Sequence, residues 1–138
     1  YKGTNTSDKP AFEFFSAENV DYNNKSAFNW ISVMRVPDFI TQKDLEWAID
    51  TASKKKKIDC SLVEFLTIDE GLCVQIMHIG PFDDEPKSVA LMEKYLQENG
   101  YVNDMNKDRL HHEIYMSDAR KIQPEKYKTV IRHPIKKI

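Results

Sequence analysis

The 138-residue sequence predicts an α+β fold of two pseudo-symmetric units, on three observations. Two stretches, 41–57 and 85–99, repeat apolar residues at helical spacing. Several other runs are short, rich in β-favouring residues and bounded by turn residues. Two short sequence patterns also recur roughly a hundred residues apart, the signature of an internal duplication.

Composition limits what such a fold could do. The length suits one domain, residues 1–138, with a core of its own. Twenty basic and 22 acidic residues leave a formal charge of −2. That balance supplies no basic field for nucleic acid, so no direct nucleic-acid binding is expected. No apolar run is long enough to span a bilayer, so no membrane association is expected. Cys60 and Cys73 do not form a disulfide framework, and two reduced thiols in a cytoplasmic protein are the expectation. The oligomeric state is not legible.

Residues 1–10 combine Gly, Thr, Asn, Ser, Asp and Pro and read as a loop. Ala11 to Ser16 reads as a short aromatic strand, with Glu13 on the face opposite Phe12 and Phe14. Ala27 to Val36 reads as a longer strand halted by Pro37, apolar on both faces and therefore covered on each side over part of its length. Phe28 and Trp30 share one of those faces. Thr41, with Asp44 three residues on, opens a helix as a capping box. Leu45, Ala48, Ile49 and Ala52 give that helix a buried stripe, and the run Lys54 to Lys57 suits its negative end. Leu62 to Ile68 and Leu72 to Ile79 read as a hairpin closed by Asp69-Glu70-Gly71.

Gly80-Pro81 ends the second of these strands. Asp83, Asp84 and Glu85 then place negative charge at the positive pole of a second helix, with Pro86 in its first turn. Val89, Met92 and Leu96 form its buried face and Gly100 closes it. His111 to Asp118 reads as a strand ending on Ser117-Asp118, and Tyr127 to His133 as a last strand before Pro134. From residue 72 onward the order is strand, helix, strand, strand.

The duplication aligns Val33-Met34-Arg35-Val36-Pro37 with Val130-Ile131-Arg132-His133-Pro134, and Phe12-Glu13-Phe14-Phe15 with His112-Glu113-Ile114-Tyr115. On this reading the first unit lacks its opening strand and helix, and Glu13 and Glu113 face a shared cleft. Residues two apart on a strand share a face, so Glu113 and Tyr115 project together with His111 beside them. A carboxylate, a phenol and aromatic surface suit a small organic ligand, above all a cationic or polarised one. Amphipathy of the 85–99 helix, together with Ile114 and Met116, leads to the expectation that this helix packs on the face opposite Glu113. No Gly-rich phosphate loop or Cys–His nucleophile pair occurs, so no cofactor is expected. His78, His111, Glu113 and His133 show no recurring ligand spacing, so no metal is expected either.

The segment Glu70 to Pro86 (Glu-Gly-Leu-Cys-Val-Gln-Ile-Met-His-Ile-Gly-Pro-Phe-Asp-Asp-Glu-Pro), His112 to Asp118, Pro124 to Arg132 and Arg35-Val36-Pro37-Asp38-Phe39 together resemble the stand-alone branch of the GyrI-like small-molecule-binding family. Ala119 departs from the proline that usually follows Ser-Asp there. The resemblance implies two pseudo-symmetric βαββ units whose antiparallel sheets line a ligand cleft. It implies binding of amphipathic or cationic, drug- or toxin-like molecules for sensing or sequestration, with Glu113 meeting the ligand. The alternative it admits is a hydrolase that opens strained cyclopropane rings of DNA-alkylating natural products, a detoxifying role. The residues expected to act are Glu113, Tyr115 and Glu13, with Trp30, Phe28 and His111 completing the ligand site.

Overall fold

The computed structural model describes residues 2–4 and 29–138, with side chains from residue 30 onward. The chain falls into two compact units, whose described residues are 2–4 with 29–68 and 69–138. The expected strand at 11–16, with Glu13, and residue Phe28 lie outside the described residues.

In the first unit β1 (Lys2–Thr4) pairs antiparallel with β2 (Asn29–Ile31), setting Gly3 opposite Trp30. The strand expected as far as Val36 is regular only to Ile31 within the described residues, and 32–37 continue without ladder pairing. Helix α1 (Gln42–Lys56) starts on the capping box read from the sequence. Asp44 Oδ2 accepts the Thr41 backbone N–H at 2.8 Å, and the Asp44 N–H is answered by the Thr41 hydroxyl. Its stripe is shallower than expected: Leu45, Ile49 and Ala52 are half-buried, Ala48 is exposed, and no residue of α1 is fully buried.

The expected strand at 62–68 does not form, and neither does its hairpin with the strand at 73–79. The turn itself is real. Gly71 has φ +56°, and its N–H is held by Asp69 Oδ1. It stands at the boundary between the two units. Beyond it, Arg109 donates to the carbonyls of Glu70 and Leu72, both at 2.8 Å, and pairs with Asp104 at 2.6 Å. These bonds occupy backbone groups just before the strand, and the strand finds its ladder elsewhere.

The second unit is an open antiparallel sheet organised on one long strand. β3 (Cys73–Ile79) pairs along β6 (Lys128–Lys137) with Ile76 opposite Ile131. Along the other edge of β6 lie, in tandem, β5 (His112–Tyr115) and β4 (Tyr101–Asn103). β4 is a strand that sequence reading missed. β6 also runs past the expected stop at Pro134. The proline lacks an N–H, but it sits where pairing with β5 has ended and pairing with β4 has not begun, so no ladder bond is lost. Its carbonyl accepts the Asp104 N–H at 2.9 Å.

Helix α2 (Glu85–Asn99) follows β3 through Gly80, a 3-10 turn at Phe82–Asp84 and Pro86. Gly80 has φ +137°, a conformation that side chains other than glycine's rarely adopt. His78 pins the turn, because its Nε2–H donates to the Pro81 carbonyl at 3.0 Å while Nδ1 meets the Ser88 hydroxyl at 2.9 Å. Met92 and Leu96 of α2 are buried, and with Ile131 and Ile135 they form the core. Since His78 reaches α2, the sheet face under the helix is that of Val74, Ile76 and His78, and hence of Thr129, Ile131 and His133.

Candidate functional site

Register decides where the candidate residues point. Glu113 lies opposite Ile131 and Tyr115 opposite Thr129, so both project from the face that α2 covers. The expectation that α2 and Glu113 occupy opposite faces is therefore wrong. Ile114 and Met116 are the residues expected to supply the face of β5 that meets α2, yet Met116 is exposed. The apolar ridge that supports α2 comes instead from β3 and β6. The face away from α2 carries a polar network, in which Glu70 binds His112 at 3.0 Å and pairs with Arg132, while Arg132 donates to Gln75 at 3.0 Å.

On the helix side, Glu113 is a hub. His111 Nε2 meets its Oε1 at 2.9 Å, and the Tyr115 hydroxyl donates to its Oε2 at 2.5 Å. His111 in turn meets His133 Nε2 through Nδ1 at 2.8 Å. Glu85, the first residue of α2, interacts with the same carboxyl. Burial alone would raise the pKa of Glu113, but the hydrogen bonds from His111 and Tyr115 outweigh it and hold the group ionised. Glu85 goes the other way. It is 7% exposed, and its Oε1 is buried without a hydrogen-bond partner among the described residues. Burial first, then the charge of Glu113, push its pKa up to about 8. At neutral pH the two carboxyls thus stand in opposite protonation states. Partial desolvation and the Glu113 carboxylate also raise the Tyr115 pKa, keeping the phenol a donor.

The aromatic surface beside this hub is Phe82, edge-on to Tyr115 with centroids 5.6 Å apart and tilted against Tyr127 at 5.1 Å. An open groove of about 680 Å³ is lined by Phe82, Tyr115, Met116, Ser117, Asp118, Ala119 and Arg120. Tyr115 is 62% exposed, so its ring faces that groove while its hydroxyl stays on Glu113. Asp118 is held by Arg120 and Lys121 at the rim.

The structure therefore joins Glu113, Tyr115 and His111, as read from the sequence, and adds Glu85, His133 and Phe82. Trp30 sits on β2 in the first unit. Sequence reading gave Glu85 only a helix-dipole role, since nothing in a run of three acids marks which one turns inward. His133 could have been found, because it lies two residues from Ile131 on the same face. No cluster of metal-ligating side chains occurs among the described residues, and no described helix is long and apolar enough to cross a membrane.

An open antiparallel sheet with one covering helix, and an aromatic groove set beside buried carboxyls, defines a small-molecule-binding domain. The model of the GyrI-like small molecule binding domain matches residues 29–136. The chain belongs to that family. A crystal structure of a hydrolase from Listeria innocua is 45% identical, with a TM-score of 0.77 over 82% of this chain and 58% of its own. An uncharacterized conserved protein from the same organism is 44% identical, with a TM-score of 0.82 over 88% of this chain and 60% of its own. A further Listeria innocua hydrolase structure gives 43% and 0.79 over the same shares. The chain thus spans 58–60% of the length of these proteins. The comparison with curated proteins found no match.

Proposed function

We propose that this domain binds an amphipathic small organic molecule against Phe82 and Tyr115 and adds water to it. The observation that carries this reading is the split between two adjoining carboxyls, Glu113 ionised and Glu85 protonated. Groups pushed apart in pKa at one site are suited to act as base and acid in one reaction. The description of two similar Listeria innocua proteins as hydrolases supports the same direction.

With a strained cyclopropane conjugated to a carbonyl as substrate, the roles follow. Glu113 takes a proton from water as the water oxygen attacks the ring carbon. The ring C–C bond breaks, and its electron pair moves through the conjugated system to the carbonyl oxygen. Glu85 gives its proton to that oxygen, and Tyr115, released from Glu113 as that carboxylate takes the proton, becomes a further donor to the developing charge. The proton on Glu113 then passes to Glu85, restoring both groups, and the net change is addition of one water.

Sensing or sequestration of a cationic ligand without chemistry is the competing reading. Against it, the charge of Glu113 already receives His111, Tyr115 and Glu85. The test incubates the protein with a cyclopropane-bearing DNA-alkylating natural product and follows product mass and ligand affinity. The expected outcome is product carrying one added water. Glu113→Gln should keep most affinity and lose about 10²–10⁴-fold in turnover. Tyr115→Phe should lose on the order of 10²-fold. Ligand recovered bound but unchanged assigns a binding module, and undiminished turnover in Glu113→Gln removes the base.

A further inference from the structure

Behind the carboxylate stands a pair of histidines that the mechanism above does not use. His133, on β6, is 2% exposed, its Nε2 lies 2.8 Å from His111 Nδ1, and its own Nδ1 is buried without a partner among the described residues. His111 Nε2 lies 2.9 Å from Glu113 Oε1. Each contact involves ring nitrogens whose proton must be on one side or the other.

The direction of the chain follows from its end. Ionised Glu113 accepts only, so His111 must present an N–H from Nε2. In a neutral ring Nδ1 is then bare and needs a donor, which His133 supplies from Nε2. That leaves His133 Nδ1 as a lone pair in the interior, matching the atom found without a partner. The reverse arrangement would put a buried N–H at His133 Nδ1 with nothing to receive it, and orphaned buried donors are rare and costly. It would also turn a bare nitrogen of His111 toward a carboxylate.

We propose that His133 is a positioning residue, which donates to His111 Nδ1, fixes the orientation of that ring and through it holds the Glu113 carboxylate in its working orientation. The assignment rests on Glu113 being the base of the proposed reaction. Burial, and then the neighbouring His111, push the His133 pKa down to about 4, which keeps its ring neutral at pH 7. The charged and titratable groups at this chain are Glu113 and Tyr115 on β5, His111 just before that strand, Glu85 on α2 and His133 itself. Among these, His133 alone supplies a donor to His111 Nδ1 in the described structure.

The test is the imidazole nitrogen spectrum of the uniformly 15N-labelled full chain at pH 7, where long-range proton–nitrogen correlations distinguish a protonated from a bare ring nitrogen. His133 and His111 should both carry the proton on Nε2 with Nδ1 bare. A His133 ring protonated on Nδ1, or on both nitrogens, overturns the proposal whatever the protein catalyses. In His133→Leu the His111 Nδ1 resonance should move toward that of a bare nitrogen accepting no hydrogen bond, and His133→Gln, which restores an N–H donor, should return it. A folded His133→Leu protein with His111 unchanged also overturns it, and if that variant does not fold the wild-type spectrum decides. With the cyclopropane probe, kcat of His133→Leu should fall about 10–100-fold, the range typical for loss of an orienting partner, with KM unchanged. A raised KM with unchanged kcat counts against the proposal. Wild-type protein that binds the probe without adding water refutes the hydrolase reading instead, a failure separate from that of the tautomer.

Discussion

Replacing Glu85 by glutamine should stabilise the protein in alkaline solution while damaging the proposed reaction. Glu85 is buried with a pKa pushed from 4.5 to about 8. Its folded-state pKa is raised, so below pH 4.5 both folded and unfolded chains hold the proton and stability does not depend on it. Above 4.5 the unfolded chain loses the proton and the folded chain keeps it. The folded state then binds more protons, and stability falls as pH rises until Glu85 itself ionises near 8. The slope is about 1.4 kcal/mol per pH unit, so the penalty is roughly 3 kcal/mol at pH 7. Glutamine fills the same space, offers an N–H to Glu113 and carries no titrating proton. Urea unfolding of wild type and Glu85→Gln at intervals from pH 4 to 9 should give curves that nearly coincide at the acid end. They should separate with rising pH, reaching a midpoint difference on the order of 1–2 M urea by neutrality. A difference that stays constant across the range would mean that Glu85 is ionised inside the fold, and the acid–base split would be lost.

The remaining predictions concern the sheet and the first helix. Ile131 is 0% exposed between Ile76 and Glu113, so Ile131→Ala should cost about 2–5 kcal/mol in urea unfolding; a cost within experimental error would show that the sheet closes over the gap. Thr41→Ala removes the hydroxyl arm of the α1 capping box and leaves the backbone arm to Asp44, should cost about 1 kcal/mol, and should speed amide exchange in the first turn of α1. Unchanged exchange there would mean the cap does not secure the helix end.

Both helices could be read from the chain because their signals are local. A cap at Thr41, Pro86 after three acids, and apolar residues at helical spacing need no knowledge of the rest of the molecule. The expected strand at 62–68 shows the opposite case. Its residues have strand-like character, but a strand exists only if an edge is free to pair with it, and β3 took β6, whose paired residues lie 49 to 61 positions further on. β4 is three residues long and gains its pairing only from the far end of β6, so its own sequence carried little signal. The site divides along the same line. Alternation along residues 111–115 grouped His111, Glu113 and Tyr115, which is local; Glu85 and His133 join them only through register and helix placement. The misplaced face of α2 was the same error, an inference about packing drawn from one strand without its neighbours.

The tandem pairing along β6 has a consequence for how the chain acquires its structure. β3, β4 and β5 all take their ladder partners from residues 128–137 and none from one another. During synthesis these three strands are made before the segment that unites them. Helix α2 can form its own turns in that interval, but the carboxyls that face each other in the finished protein belong to separate stretches of open chain. Closure over such distances is slow because loop entropy is lost before contacts compensate it. The unit should therefore gain its sheet in one late step, and a nascent chain arrested short of residue 128 should present unpaired strand edges to chaperones rather than a partly built site.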